Sequence, residues 1–342
     1  MKFDYKKICQ NLLKGLPQRT VDVIEGRFGL KGGEGKTLEA IGVDYSITRE
    51  RVRQVAEEGF SKIRPRTGEY QKVFQYFGDT LKSFGDLKKE DNLLFYLGGE
   101  KFQNQVSFLL TLDSSFKRLS EDKDFYAFWA RRDDAAGLAK KVASLMVNRF
   151  EVEKKPITLD RLFALAKDGL LGILGKKASK NILNSYLEIS KRIQTNNQGQ
   201  FGLKNWVEIN PRGIKDKAYL VLRNEGKPLH FAQVALCIEK LPVGNQRKVH
   251  VATVHNELIK DSRFVLVGRG LYALKEWGYQ PGVVKDVILS VLKEAKMPLS
   301  REDIIKRVFE QRFVKGNTVS LNLRDKNYFL RDEDGKYQVK EA

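Results

Sequence analysis

Between Thr37 and Arg64 the chain reads TLEAIGVDYSITRERVRQVAEEGFSKIR, and the side chains able to do chemistry crowd into its second half. Arg49, Glu50 and Gln54 carry hydrogen-bonding groups of three kinds: a donor fork, an acceptor pair, and an amide that does both. At about 100° per residue, Glu50, Gln54, Glu57 and Ser61 point one way, with Arg49, Arg51, Arg53 and Arg64 fanned around the edges. Val52, Val55, Ala56, Gly59 and Ile63 fall on the opposite stripe, which must be buried. Thr48 is placed to cap this helix through its hydroxyl. A shorter helical pattern precedes it, and Gly42 is expected in the turn between them, where a missing side chain lets two helices cross steeply. A helix-turn-helix whose second helix opens Arg, Glu and Gln to solvent suits the base edges of a DNA major groove.

Further landmarks lie upstream: Leu16-Pro17-Gln18-Arg19, then Arg27-Phe28-Gly29-Leu30, then Thr37-Leu38-Glu39-Ala40-Ile41-Gly42, with Thr48-Arg49-Glu50-Arg51-Val52-Arg53-Gln54-Val55 closing the series. From about Leu16 to Arg64 the chain resembles region 4 of the sigma-70 family of bacterial transcription initiation factors. The resemblance implies a module that engages the RNA polymerase core and recognises the minus 35 element of double-stranded promoter DNA. Carried over by motif position, Arg49, Glu50 and Gln54 would meet base edges, and Arg27, Thr48, Arg51, Arg53 and Lys62 would meet phosphates. That family sets an aromatic-rich DNA-melting domain before region 4. Here the matching stretch begins near Met1, so the expectation is a promoter reader that does not open DNA by itself.

The rest of the chain must carry this head. Its 342 residues suit two to four compact domains, and 42% apolar content supports packed cores. An excess of 62 Lys+Arg over 43 Asp+Glu, net +19, favours a polyanionic partner. Cys9 and Cys237 read as reduced core residues. No apolar run approaches a membrane span, and the N-terminus lacks a signal-peptide core, so a cytoplasmic, nucleoid-associated protein with no membrane partner is expected.

Beyond residue 70 the chain repeats itself. Gly199-Gln200-Phe201-Gly202-Leu203-Lys204-Asn205-Trp206 and Gly270-Leu271-Tyr272-Ala273-Leu274-Lys275-Glu276-Trp277 share one pattern, Gly335-Lys336-Tyr337-Gln338-Val339 repeats its start, and Asp124-Phe125-Tyr126-Ala127-Phe128-Trp129 is a fainter copy. Upstream sit Pro156-Ile157-Thr158, Pro228-Leu229-His230 and Pro298-Leu299-Ser300, each between helical patterns. Helix, extended Pro segment, two helices, strand, turn and strand make a winged helix. The copy ending at Trp277 is similar to the HARE-type module of the RNA polymerase delta subunit, on Gly226-Lys227-Pro228-Leu229-His230-Phe231 and Asp261-Ser262-Arg263-Phe264-Val265 as well as the Trp277 motif.

The expected fold is therefore mostly α with small β wings: an N-terminal helix-turn-helix (1–67), then tandem winged helices at 69–133 (the most divergent), 138–212, 215–279 and 281–342. Within the array, Arg247, Lys248, Arg263 and Arg269 are candidates for secondary nucleic-acid contacts, since third helix and wing are the usual surfaces. Trp206 and Trp277 are expected to pack wings against helices.

Other signals fail. Gly35-Lys36-Thr37 imitates the end of a P-loop, but position 30 is Leu and the segment follows a helix; Gly32, Gly33 and Gly35 are expected to form a flexible loop. His230, His250 and His255 lack metal-ligand spacing, and Asp133-Asp134 reads as a charged helix start. No cofactor, metal or catalytic site is expected, and the chain is not expected to be an enzyme. Three roles fit: a sigma-like promoter reader, a delta-like polymerase accessory subunit acting by protein contacts, and an architectural DNA-binding protein.

Overall fold

The computed structural model describes residues 3–241, 248–279, 282–312 and 314–340. The chain divides into two compact units, Met1–Asn205 and Trp206–Ala342.

The first unit opens with α1 (Tyr5–Leu13), α2 (Gln18–Phe28), α3 (Leu38–Asp44) and α4 (Arg49–Ile63). Side-chain oxygens begin three of them: Asp4 accepts from the Lys7 amide, Thr37 from Ala40 and Thr48 from Arg51. Gly29 ends α2 at φ 65°, a left-handed cap that suits glycine. A 3-10 turn, Arg64–Tyr70, follows, and the Arg66 guanidinium donates to the carbonyls of Asn11, Leu12 and Lys14 at 2.7, 3.0 and 2.8 Å. Those carbonyls belong to the end of α1, where helix geometry leaves acceptors unpaired.

Gly42 departs from expectation. It lies inside α3, not in the turn, and Ser46 takes the positive φ, 53°. Its missing side chain matters for another reason: a Cβ there would stand 2.6 Å from the Ile47 carbonyl oxygen, as the chain folds back and Ile47 N donates to Gly42 O at 2.9 Å. Gly59 of α4 similarly faces α2, where a Cβ would meet side-chain carbons of Thr20 and Ile24 at 2.7 and 2.8 Å.

From residue 71 onward one element order recurs: helix, strand, helix, helix, strand, strand. Its first pass is α5 (Gln71–Ser83), β1 (Leu87–Lys89), α6 (Glu90–Gly98), α7 (Gln103–Leu112), β2 (Lys117–Leu119) and β3 (Phe128–Ala130). The second is α8 (Ala135–Glu153), β4 (Ile157–Thr158), α9 (Leu159–Leu174), α10 (Lys180–Glu188), β5 (Ile193–Thr195) and β6 (Gln200–Leu203). In the second unit come α11 (Gly213–Glu225), β7 (Leu229–His230), α12 (Phe231–Lys240), α13 (Val251–Lys260), β8 (Phe264–Gly268) and β9 (Leu271–Leu274). The last pass is α14 (Val284–Ala295), α15 (Arg301–Gln311), α16 (Gly316–Asn322), β10 (Phe329–Arg331) and β11 (Tyr337–Val339). Each three-stranded sheet is antiparallel with the last strand central: β1-β3-β2, β4-β6-β5 and β7-β9-β8. In the fourth pass the first strand shrinks to one bridge, Leu299 to Tyr337.

The proline segments separate the first two helices of each later pass. Proline fixes its own φ and drives the residue before it to extended backbone, which keeps the first helix from continuing, and the polar residue two places on caps the next helix. Thr158 accepts from Arg161 N, His230 Nδ1 from Ala232 N and Ser300 from Asp303 N. The first pass lacks this proline and turns instead through Gly85 and Asp86, both at positive φ. Leu87 pairs with Ala130, Lys88 with Trp129 and Lys89 with Phe128, as Ile157 pairs with Phe201 and Leu229 with Tyr272.

One apolar cluster runs from Tyr5 through Val52, Phe60 and Ile63 into Phe77, Phe108 and Trp129, binding the helix-turn-helix and the first pass together. Its bridge is α7, where Gln105, Val106, Phe108, Leu109, Leu110 and Leu112 are buried and the helix lies against α1 and α2. Asn104 Nδ2 donates to Gly29 O and Gly33 O at 3.0 and 2.9 Å, so the glycine loop expected to be flexible is clamped. In the same way α10 packs on β1: Tyr186 Oη donates to Gly85 O, and Glu188 accepts from Lys88 and Asn92.

Replacing Gly42 with Ala forces Cβ against a backbone oxygen that has no free side-chain end to move. Thermal and denaturant unfolding of Gly42→Ala should show a loss of about 1–3 kcal/mol, the range for overpacking; an unchanged midpoint contradicts the close approach.

Candidate nucleic-acid interface

The exposed face of α4 is built by what holds its other face. Val52, Ala56, Phe60 and Ile63 are fully buried, with Val55 and Gly59 beside them, and this stripe packs on α2 and α3. Phe60 extends the stripe read from periodicity; its ring meets Phe28 edge-on at 6.1 Å. The opposite face is left to solvent along the whole helix.

Arg49, Glu50 and Gln54 all lie on that open face. Arg49 stands in the first turn and reaches Glu39 of α3 at 3.0 Å. Glu50 accepts from the Arg53 guanidinium at 2.8 and 3.0 Å, and Gln54 accepts from Arg51 at 3.2 Å. Arg51 also approaches Glu58, and Arg64 bonds Glu57 at 2.7 Å. The Arg53 hydrogen bond holds the Glu50 carboxyl below its ordinary range, and Glu50 in turn raises Arg53. The face is thus a ladder of exposed opposite charges, each pair weak and open to exchange. Glu39 and Arg66 could not have been singled out from sequence, because their partners come from other helices.

Thr48, assigned to phosphate contact, has its hydroxyl accepting from Arg51 N at 3.2 Å, so it also begins the helix. Lys62 is exposed in the last turn. Arg27 is set differently. It is half-buried, its guanidinium 5.6 and 5.9 Å from the ring centroids of Phe28 and Phe60, and burial holds it below the ordinary arginine value against the opposing pull of Glu57. It lines a cleft of about 550 Å³ shared with Glu90, Asn104, Ser107, Arg118 and Trp129 of the first pass. There Arg118 grips Glu90 at 2.5 and 2.6 Å, and the Trp129 indole donates to the same carboxylate at 3.1 Å.

In the second unit the four array candidates separate. Arg263 donates to Asp261 at 2.7 to 3.2 Å and to Asp216 at 2.8 Å, and its guanidinium lies 5.1 Å from the Tyr219 ring centroid. Its fork is occupied within the module. Lys248 and Arg269 are exposed, Arg269 at the β8–β9 turn. Arg247 lies outside the described residues. Trp277 packs, half-buried, on the cluster around Leu258 and Tyr272. Among the described residues no group of three or more His, Cys, Asp or Glu could hold a metal ion, and no helix is long and apolar enough to cross a membrane.

The segment carrying this face matches the family model described as Sigma-70, region 4, over residues 12–65. Residues 12–65 form a sigma-70 region 4 domain. RNA polymerase sigma factor SigA of Microcystis aeruginosa is 44% identical to the chain over 55 residues, 16% of this chain and 13% of that protein. SigA of a Synechocystis species shows the same 44% over 55 residues, and SigA of a Bacillus species 37% over 59 residues. The chain spans only 13% to 16% of the length of these relatives. Within the region 4 domain, α1 begins before the matched stretch and α7, from outside it, closes its core.

Because the Thr48 hydroxyl satisfies a first-turn amide, Thr48→Ala should lower unfolding stability by about 0.5–2 kcal/mol while Thr48→Ser stays near wild type. Guanidinium titration of both variants checks this, and equal stability of the Ala variant contradicts the cap.

Proposed function

We propose that the chain is a sequence-specific DNA-binding transcription protein that reads promoter-type, minus 35-like double-stranded DNA through α4 and engages the RNA polymerase core. One observation carries the reading: the region 4 match falls on the same residues that present Arg49, Glu50 and Gln54 on an exposed helix backed by a fully buried stripe. In the groove, Arg49 and Gln54 would give donors to base edges, Glu50 would accept from a cytosine amine, and Arg51, Arg53 and Lys62 would exchange carboxylate partners for phosphates. The chain acts by binding and not as an enzyme. The four recurring passes are read as tandem winged helices, the one at 215–279 of HARE type, and Lys248 and Arg269 as its contacts with nucleic acid.

A second reading is favoured by one observation. In 69–205 the third helices α7 and α10, the groove-entering position of a winged helix, are buried within the unit. An array that docks through its third helices suits a delta-like accessory subunit working by protein contacts.

The double variant Arg49→Ala, Gln54→Ala separates the two. Each bidentate base contact contributes about 1–3 kcal/mol of discrimination. Anisotropy titration should therefore show the preference for a minus 35 duplex over a scrambled one falling about tenfold or more, with polymerase retention unchanged. Full discrimination by the double variant sinks the promoter-reading role.

A further inference from the structure

The last pass carries a charged groove that promoter reading does not use. It is a concavity of about 1220 Å³ between the start of α15, the end of α16 and the β10–β11 hairpin. Its walls hold six cations, Arg301, Arg324, Lys326, Arg331, Lys336 and Lys340, against two carboxylates, Glu302 and Asp334. Arg301 is paired with Glu302 at 3.0 Å, and Arg331 donates to the Gly335 carbonyl at 3.3 Å. Arg324, Lys326, Lys336 and Lys340 are all exposed, and among the described residues none of the four forms an ion pair. This sets them apart from the arginines of α4, which are held by their own carboxylates.

Free cations converging on a concavity repel one another and focus a positive field into it. A chain of closely spaced negative charges relieves that repulsion. Tyr337, half-buried, lines the same wall with the Arg331 guanidinium 5.8 Å from its ring centroid, so ring and guanidinium together offer a base a stacking surface. Basic walls with an aromatic surface are the arrangement of single-strand sites. The hairpin turn at one end of the groove is acidic: Asp332, Glu333 and Asp334 are exposed there, and Asp334 stands on the wall itself. A duplex laid across the module would set phosphates against all three carboxylates, whereas a narrower single strand can follow the cations past the one that lines the wall.

We infer that this groove binds a single strand of nucleic acid, holding its phosphates with Arg324, Lys326, Lys336 and Lys340. The inference rests on the proposed function only in taking nucleic acid as the partner; the site, the strand form and the residues are distinct from α4. The full-length chain is titrated with fluorescein-labelled oligo-dT across a salt series. The triple variant Arg324→Ala, Lys326→Ala, Lys340→Ala should bind about tenfold more weakly, with the salt slope smaller by about 2, since each phosphate contact on a single strand contributes about 0.7. Its binding to a minus 35 duplex should be unchanged, and Arg49→Ala, Gln54→Ala should show the reverse pattern, so failure of either site is read separately. In the unmodified chain oligo-dT should protect Lys326, Lys336 and Lys340 from amine acylation, a readout independent of any variant's folding. Wild-type affinity in the triple variant, or no lysine protection, overturns the inference. So does a triple variant that loses polymerase while keeping oligo-dT, which would mark the groove as a site for an acidic protein surface.

Discussion

Burial of one stripe on α4 is the constraint from which the rest follows. A helix of this length is marginal alone in water, and its exposed face is too polar to help. Val52, Ala56, Phe60 and Ile63 must therefore be fully covered, and α2 and α3 can approach closely enough only because Gly42 and Gly59 present no side chain where those neighbours cross. Even then the four small helices leave apolar surface open. The helix α7 closes it from outside the region 4 domain, with Asn104 clamping the glycine loop and Phe108 meeting Phe28 at 5.4 Å. The open face of α4 is backed by a core that a neighbouring pass completes.

That arrangement changes what the repeats are for. A third helix covered on all sides cannot enter a groove, and neither α7 nor α10 leaves a solvent face of useful width. In α13 the pattern differs: only Val254 and Leu258 are buried, and Val251, Asn256, Ile259 and Lys260 face outward. The same element order thus serves internal docking in the first unit and leaves surface available in the second. Composition alone could not separate these uses, because both kinds of helix are amphipathic and differ only in how wide the covered stripe is.

Local rules carried most of what sequence could tell. Thr48 as a cap, the stripe on α4, the extended segments at Pro156, Pro228 and Pro298, and the strand-turn-strand before Trp277 all rest on neighbours within a few residues, and all stand in the structure. Misplaced features depended on how the backbone folds back or on distant partners. Gly42 reads as a turn residue because the carbonyl it accommodates, that of Ile47, is identified only once the turn is built. The loop at Gly32, Gly33 and Gly35 looked flexible because Asn104 lies far along the chain. Among the site residues, exposure of Arg49, Glu50 and Gln54 followed from periodicity, whereas the partial burial of Arg27 and the occupied fork of Arg263 came from residues no local pattern connects to them.

The charge on this chain is accordingly of two kinds, and net charge conceals the difference. On α4 the arginines are held in pairs with Glu39, Glu50, Glu57 and Glu58, so the face is nearly neutral before any partner arrives. Such exposed pairs contribute little and are readily exchanged. They hold the side chains extended along the helix without fixing them, and a partner must offer a better-placed acceptor than the carboxylate already present. That favours geometry over charge and suits discrimination. The unpaired cations of the last groove have no carboxylate to displace, so their attraction for a polyanion is less dependent on arrangement and falls directly with salt. Selection and grip call for opposite pairing states, and the paired face and the unpaired groove lie on different units.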